Sequence, residues 1–258
     1  KSEKLIVPVE VSAASGYITA LQNVGVMSNK GVELQLGITA VKTKDFTFDI
    51  NVNWEKNNNQ VVSLGGLDAL NLGGQWNVNL QARAGMPYGV LFGPGYLRDP
   101  NGNIVHVDGL PQIDPENKVL GNIQPDWTGG ISFDFKYKGI SLSTLIDARQ
   151  GGSIYSMTTT WGRYSGVLQE TLLGRETGII GDGVKNIGNA TEPNYVANDV
   201  VVAAESYNKA AFSNNLAEGS VFDASFVKLR QITLGVDLPS KWFGRNVFQG
   251  ASVSLVGR

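Results

Sequence analysis

Hydrophobic and polar residues alternate with a period of two along several long stretches of the chain. From Gly31 to Ala40 the apolar members are Val32, Leu34, Leu36, Ile38 and Ala40. From Asp45 to Glu55 they are Phe46, Phe48, Ile50, Val52 and Trp54. Because successive side chains of a strand point to opposite faces, the pattern predicts a long antiparallel hairpin with one apolar and one polar face.

The same alternation recurs later in the chain. Residues 131–137 and 140–149 form a second predicted hairpin, and Gly139 marks its turn. A third segment, Ala224–Leu238, changes phase between Leu229 and Ile232, which predicts a bulge or a bend. Residues 251–256 begin a further predicted strand.

The length of these strands favours a membrane β-barrel. They have ten or more residues, whereas strands of soluble proteins average about five or six and a tilted strand crosses a bilayer with about 9–11. Their polar faces are mostly Ser, Thr, Asn, Gln and Asp, whereas a soluble sandwich predicts faces rich in Lys and Glu. Aromatic residues lie near the strand ends, as in the girdles of barrels. The alternative is a soluble β-sandwich with one buried face.

Composition excludes several classes of protein. The 258 residues include no cysteine and one histidine, which excludes disulfide scaffolds, iron–sulfur sites, cysteine nucleophiles and multi-histidine metal centres. The formal net charge of −2 gives no basic field for nucleic acid. The longest apolar run has about five residues, which is too short for a transmembrane helix.

Long connections separate the predicted hairpins. Residues 57–77, 85–128 and 150–221 read as irregular, apart from a type I′ turn predicted at Asn101-Gly102 and a helix predicted within Ser156–Arg175. Connections of this length are unusual inside a compact soluble domain and normal for the outer loops of a membrane barrel.

One segment carries a family signature. Residues 121–130 (GNIQPDWTGG) resemble a motif of the SusC/RagA-type TonB-dependent transporters of the Bacteroidota outer membrane. Other segments resemble the same family in the same order and together cover most of the chain: 23–36 (NVGVMSNKGVELQL), 147–156 (DARQGGSIYS), 171–184 (TLLGRETGIIGDGV) and 224–239 (ASFVKLRQITLGVDLP).

The resemblance implies a fold and a role. The fold is all-β, part of a large antiparallel transmembrane β-barrel of the 22-stranded family, with long extracellular loops and an N-terminal plug. The implied place is the outer membrane of a Gram-negative, Bacteroidota-like cell, in contact with its lipid. The implied activity is TonB-dependent import of a large nutrient, either a glycan or a peptide, beneath a SusD-like lipoprotein lid.

The chain is short for such a barrel. Sharing 258 residues among 22 strands leaves about twelve for each strand and its connection, too few for the loops that the sequence contains. We therefore expect residues 1–258 to be the C-terminal portion of the barrel, without the plug domain and the last strands. Contact with the TonB complex is expected through the missing N-terminal part.

No residue pattern predicts catalysis, a metal or a cofactor. Asp99, Asn101 and Asn103 are spaced like the start of a calcium loop, but Ile104 and Leu110 occupy the positions that need glycine and glutamate. His106 is expected to be an ordinary loop histidine. The carboxylates suggest no glycosidase pair, because nothing local would raise a pKa.

Aromatic residues of the loops are the candidate substrate-binding groups. We single out Trp76, Trp161 and Tyr164, because aromatic faces pack on the apolar face of sugars and at protein interfaces. The alternatives are that these rings pack the loops on themselves or contact the lid. At the level of the whole protein, a soluble carbohydrate-binding module and a passive porin remain the rival functions.

Overall fold

The computed structural model describes residues 1–10, 19–189, 191–212, 216–239 and 250–258. The chain divides into two compact units, and each is described by itself. The sheet unit comprises Asn29–Asn58, Pro125–Gly151 and Ala224–Arg258. The loop unit comprises Lys1–Ser28, Asn59–Gln124 and Gly152–Asp223.

Strands dominate the described residues. In chain order they are β1 (Ser2–Glu10), β2 (Thr19–Lys42), β3 (Phe46–Leu64), β4 (Ala69–Gln75), β5 (Val78–Arg83), β6 (Val90–Gly93), β7 (Val105–Val107), β8 (Leu110–Pro111), β9 (Lys118–Asn122), β10 (Trp127–Tyr137), β11 (Ile140–Gln150), β12 (Ser153–Tyr155), β13 (Ile179–Ile180), β14 (Val184–Asn186), β15 (Tyr195–Ala197), β16 (Val201–Val202), β17 (Val221–Asp223), β18 (Phe226–Leu238) and β19 (Ala251–Gly257). Two α-helices occur among them, α1 (Met157–Tyr164) and α2 (Ala204–Ala211). Neither helix in this part of the chain is long and apolar enough to cross a membrane.

The long strands form one seven-stranded sheet in the order β1-β2-β3-β10-β11-β18-β19. Its register follows the alternation of the sequence. In the sheet unit Phe133 lies opposite Ile50 on β3 and Thr144 on β11, while Phe135 lies opposite Phe48 and Leu142. Apolar residues therefore share one face across neighbouring strands, and both predicted hairpins are confirmed.

The predicted phase slip in β18 is a bulge. Ile146 pairs with Leu229 and Leu145 pairs with Gln231, so Arg230 is the extra residue between them. An extra residue restores the alternation on both sides of the slip. The Arg230 Nε donates to the Asp147 carboxylate at 2.6 Å, which provides a partner for the charge at the bulge.

A tight turn at Lys138-Gly139 joins β10 to β11. Both residues have positive φ, 47° and 85°, and Tyr137 pairs with Ile140 across the turn. Positive φ at both central residues defines a type I′ turn, whose twist matches that of the two strands. The turn predicted at Gly139 is confirmed.

Apolar side chains of the sheet unit are exposed. Val32 is 63% exposed, Leu36 47% and Val227 77%. The Phe48 ring stacks on the Phe135 ring with centroids 4.3 Å apart, near the end of the sheet where the tight turn lies. Among the described residues of this unit, most apolar side chains of β2 and β18 are exposed, and most of those on the central strands β3 and β10 are half-buried.

The loop unit is more ordered than the sequence indicates. It contains two four-stranded sheets, β15-β14-β7-β8 and β4-β5-β6-β9, and two two-stranded sheets, β12-β17 and β13-β16. The strands of these four sheets are two to seven residues long and carry little alternation, which is why sequence patterning alone predicts irregular structure there. The unit has two separate hydrophobic clusters, one around Val61 on β3 and one around Val78 on β5, which are 0% and 3% exposed.

The helix predicted within Ser156–Arg175 is shorter than expected. Ser156 caps α1 by accepting a hydrogen bond from the Thr159 N–H, and the helix stops at Tyr164, two residues before Gly166 with φ of 73°. A 3-10 turn, Gln169–Leu172, follows. A glycine in the left-handed region is a common helix terminator, because the residue needs no Cβ clearance there.

The turn predicted as type I′ at Asn101-Gly102 is wrong. Gly102 has φ of 88°, but Asn101 does not have a positive φ, and the Gly102 N–H donates to the Asp99 carbonyl at 3.0 Å. Asp99-Pro100-Asn101-Gly102 is instead a type I turn, with aspartate first, proline second and glycine last. The aspartate and the proline outweigh the Asn-Gly signal, because both fix the backbone one residue earlier.

Candidate functional site

Trp76 lies at the tip of the β4–β5 hairpin in a strained backbone position. Gln75 pairs with Val78 across the turn, and Trp76 has φ of 60° while Asn77 does not have a positive φ. Turns of this kind place glycine at the first central position. The left-handed region costs an L-residue roughly 1–2 kcal/mol. Trp76 as a whole is 57% exposed.

The structure brings the three predicted aromatic residues together. Trp161 and Tyr164 are three residues apart on α1, with ring centroids 5.7 Å apart at 80°. Trp76 meets Trp161 edge to face, with centroids 5.4 Å apart at 81°. We call Trp76, Trp161 and Tyr164 the aromatic cluster. Trp161 is 40% and Tyr164 37% exposed, so part of each ring remains open to a ligand.

Arg163 anchors the helix that carries the cluster, and sequence reasoning missed it. Its guanidinium carbon lies 4.4 Å from the centre of the Phe212 ring, and its Nη1 donates to the Gly219 carbonyl at 2.5 Å. It also forms an ion pair with Glu170, and the charge-assisted hydrogen bond holds the pKa of Glu170 below its usual range. No local spacing distinguishes this arginine from a solvated one, because two of its three partners, Phe212 and Gly219, are distant in sequence.

A cavity of about 690 Å³ adjoins the cluster and shares Tyr164 with it. The end of α1, the turn after it and the first turns of α2 supply its lining. The Lys209 Nζ lies 5.9 Å from the centre of the Tyr164 ring and 2.6 Å from the Glu205 carboxylate. Arg175 also lines the cavity, with its Nε 3.0 Å from the Thr171 carbonyl. The sequence does not indicate this cavity, since its lining residues come from three separate segments.

The other loop aromatics lie apart from the cluster. Tyr207 stacks on His106 with centroids 6.3 Å apart at 12°. His106 is 1% exposed, its Nδ1 lies 3.2 Å from the Ile104 carbonyl, and its Nε2 lies against Gly181 without a hydrogen-bond partner among the described residues. The histidine therefore has the surroundings of a packed core residue.

The carboxylates of Asp99 and Asp114 accept hydrogen bonds from the backbone of their own loops. The Asp99 carboxylate accepts hydrogen bonds from the Asn101 N–H, the Asn103 N–H and the Asn103 side chain. Burial tends to raise the pKa of Asp99, but these hydrogen bonds outweigh it and lower the pKa below its usual range. Hydrogen bonds from the Glu116 N–H and Lys118 also lower the pKa of Asp114, the opposite of what a general acid needs.

No metal centre is visible in the described part of the chain. No group of three or more histidine, aspartate or glutamate side chains there has the arrangement to hold a metal ion.

The polar face of the sheet unit is a hydrogen-bonded surface rather than a closed site. Asp134 lies directly opposite Asp49. The Thr39 hydroxyl donates to Asp49 at 2.6 Å, and Asn51 donates to Ser132 at 3.3 Å. Hydroxyl, amide and carboxylate groups thus cover this face continuously, on the side opposite the exposed apolar residues.

Comparisons with known proteins complete the description. No family profile matches the chain. The chain is 25% identical over 283 residues to TonB-dependent receptor P3 of Formosa agariphila, an alignment that covers 100% of this chain and 26% of that protein. It is 29% identical over 180 residues to TonB-dependent receptor P26 of the same organism, covering 61% of this chain and 18% of that protein. The chain thus spans about a quarter or less of the length of these relatives.

Solved structures share the fold. The RagAB peptide transporter superposes with a TM-score of 0.65 at 22% identity, covering 98% of this chain and 28% of that one. The open-open state of the RagAB peptide importer gives 0.64. These relatives are named as receptors and transporters, which supports the expectation of a non-enzymatic protein. The resemblance indicated by the motifs is therefore confirmed: the chain is similar over its whole length to a TonB-dependent receptor, and it shares the all-β fold of a segment of the RagAB transporter.

Proposed function

We propose that the protein containing this chain imports a large nutrient, a glycan or a peptide, across the outer membrane with energy passed from TonB. The observation that carries the proposal is the similarity of the whole chain to receptors named as TonB-dependent. The chain spans only about a quarter of that relative, so the activity belongs to the intact protein. Within it we assign residues 1–258 to the C-terminal portion of the barrel.

The two faces of the sheet unit suit this role. Exposed Val32, Leu36 and Val227 would meet lipid tails, which need no polar partner. The opposite face would line a wet lumen, where hydroxyl and amide groups exchange hydrogen bonds with a passing solute. Its members are Glu33, Asp49, Asn51, Asn53, Asp134, Asp147 and Arg149.

The aromatic cluster is the proposed substrate contact. Trp76, Trp161 and Tyr164 keep part of each ring exposed, and they are held by mutual edge-to-face contacts that fix their directions before any ligand arrives. Preorganised rings lose little conformational entropy on binding. We further propose a SusD-like surface lipoprotein as the lid that covers the loops.

Uptake in living cells tests the proposal. A labelled mixture of oligosaccharides and peptides is offered to cells that express the intact transporter, with and without TonB. The expected result is that uptake of one ligand class disappears in the strain without TonB. Uptake that persists there indicates a passive porin and contradicts the proposal.

Fractionation and co-purification test the location and the partner. The intact protein is expected in the outer-membrane fraction, soluble only with detergent, together with a lipoprotein. A monomer that is soluble without detergent would support the rival carbohydrate-binding module. A transporter that purifies alone and retains full uptake would contradict the proposal of a lipoprotein lid.

A further inference from the structure

Three cations line the cavity beside the aromatic cluster, and carboxylates pair with only two of them. Its lining includes Arg163, Arg175 and Lys209. Arg163 pairs with Glu170, and Lys209 pairs with Glu205. The pKa values of both carboxyl groups are lowered by these hydrogen bonds, so both remain ionised at neutral pH. The third cation, Arg175, has no acidic partner among the described residues.

Arg175 is held in place by neutral acceptors. Its Nε donates to the Thr171 carbonyl at 3.0 Å, and its Nη2 donates to the Gly166 carbonyl at 2.5 Å. The Nη2 also donates to the Thr171 Oγ1 at 3.3 Å. These bonds engage Nε and Nη2, and no bond to the Nη1 occurs in the part of the chain that the structure describes. A guanidinium anchored through two of its nitrogens, with the third unpaired, is prepared to receive a carboxylate or a sulfate.

The remaining lining is suited to a sugar. Tyr164 supplies an aromatic wall. The Asn208 side-chain Nδ2 donates to the Ala204 carbonyl at 2.9 Å, and its Oδ1 has no hydrogen-bond partner among the described residues. Ser165 and Glu205 add a hydroxyl and a carboxylate. A volume of about 690 Å³ lies within the usual range of a ligand site, about 300–1,000 Å³.

A peptide fits this lining less well. Extended peptides are commonly recognised by pairing with an open strand edge. The cavity is lined by α1, the turn after it, and α2, and two of its nearby carbonyls, those of Gly166 and Thr171, already accept bonds from Arg175. Side chains rather than main-chain groups are therefore available.

We infer that the cavity between α1 and α2 binds an acidic saccharide, with Arg175 pairing the carboxylate or sulfate of the ligand and Tyr164 and Trp161 packing on its rings. This inference rests on the proposed import function and narrows its substrate class. The aromatic cluster supplies affinity for the sugar rings of any saccharide, and Arg175 selects the saccharides that carry a negative charge.

Binding to the intact transporter, purified in detergent with its co-purifying partner, tests the inference. The probes are tetragalacturonic acid, its neutral counterpart galactotetraose, a sulfated galactan tetramer and tetraglutamate. At least one acidic saccharide is expected to bind about tenfold or more tightly than galactotetraose, because hydrogen bonds between charged groups are worth roughly 1.5–3 kcal/mol. The stronger of the two acidic probes identifies carboxylate or sulfate as the recognised group.

Substitutions test whether Arg175 causes the preference for an acidic saccharide. Arg175→Gln should remove the preference for the acidic saccharide, whereas Arg175→Lys should keep part of it. Arg83, which lies over the Phe92 ring and does not line the cavity, provides the matched control, and Arg83→Gln should change neither affinity. Raising the salt concentration on the unmodified protein should weaken binding of the acidic saccharide only, so the test stands even if a variant fails to fold.

Three results would overturn the inference: equal affinity for neutral and acidic saccharides, tightest binding of tetraglutamate, or failure of both acidic saccharides to bind. TonB-dependent uptake of a neutral glycan or a peptide would overturn it while leaving the import function intact. Uptake independent of TonB would instead contradict the import function.

Discussion

The two units of the chain place their apolar side chains in opposite environments. All twelve buried hydrophobic residues among those described belong to the loop unit, where Val61 and Leu216 are 0% exposed. In the sheet unit Leu36 is 47% and Val227 77% exposed. One chain thus contains a unit that covers its hydrophobic residues with its own side chains and a unit that leaves many of them exposed.

The difference explains why the sequence is easy to interpret in one unit and hard in the other. A strand with lipid on one side and water on the other must alternate strictly along its whole length. Short strands that pack on one another from several directions need no such alternation. The surroundings of each unit therefore determine how strictly its strands alternate, and so how well they can be predicted from the sequence.

The sharpest test of the contrast is the same substitution in both units. Leu216→Ala should destabilise the loop unit by about 2–5 kcal/mol, because it leaves a cavity in a close-packed interior. Leu36→Ala should cost only about 0.6 kcal/mol or less, because lipid tails fill the space. Hydrogen exchange on the intact protein in bilayers measures both changes, and equal effects would contradict the contrast.

The next largest effect is expected when an arginine is placed on the apolar face of β2, compared with an arginine on its polar face. Leu36→Arg should cost about 2–4 kcal/mol if the residue lies near the bilayer midplane. The matched variant is Gln35→Arg, one residue away on the polar face, which should be nearly neutral. The measurement is the free energy of unfolding in lipid vesicles. A small effect of Leu36→Arg would mean that this face meets water.

Much of the sheet unit could be predicted from the sequence, and less of the loop unit. The alternation, the turn at Gly139 and the bulge near Arg230 follow from local pattern, because each residue's face depends on its immediate neighbours. The contact between Trp76 and Trp161 joins residues that are 85 positions apart in the sequence, so no local pattern predicts it. The aromatic residues could be chosen as candidates by chemistry, but their assembly, the cavity and the anchoring by Arg163 required the structure.

Low pH should destabilise one segment of the loop unit, by less than the substitutions above. The pKa of Asp99 is lowered in the folded protein, so its stabilising effect is complete above the ordinary aspartate pKa of about 3.9 and is lost as the pH falls through the lowered value. Hydrogen exchange of residues 96–107 should therefore become faster, relative to the rest of the loop unit, as the pH falls through the lowered pKa of Asp99. Asp99→Asn should remove this pH dependence, and its persistence in that variant would assign the effect to another carboxyl group.

The smallest expected change in stability tests whether Trp76 is retained for binding. Trp76→Gly relieves the left-handed backbone, a gain of roughly 1–2 kcal/mol. It loses an aromatic contact worth about 0.5–1.5 kcal/mol and adds the chain flexibility of glycine, about 0.5–1 kcal/mol. These contributions nearly cancel, so the stability of the loop unit should change by less than about 1 kcal/mol while affinity for the transported ligand falls.

Trp76→Ala separates the strain from the ring. Alanine loses the same aromatic contact with Trp161 but keeps a Cβ at φ of 60°, so it should be less stable than the glycine variant. Both variants should lose ligand affinity to the same degree, because both lack the ring. If glycine and alanine give equal stability, the turn is not strained, and tryptophan at this position needs no functional explanation. If the glycine variant is the more stable and still binds poorly, the loop unit tolerates an unfavourable backbone in order to present an exposed ring, which a residue kept only for packing would not require.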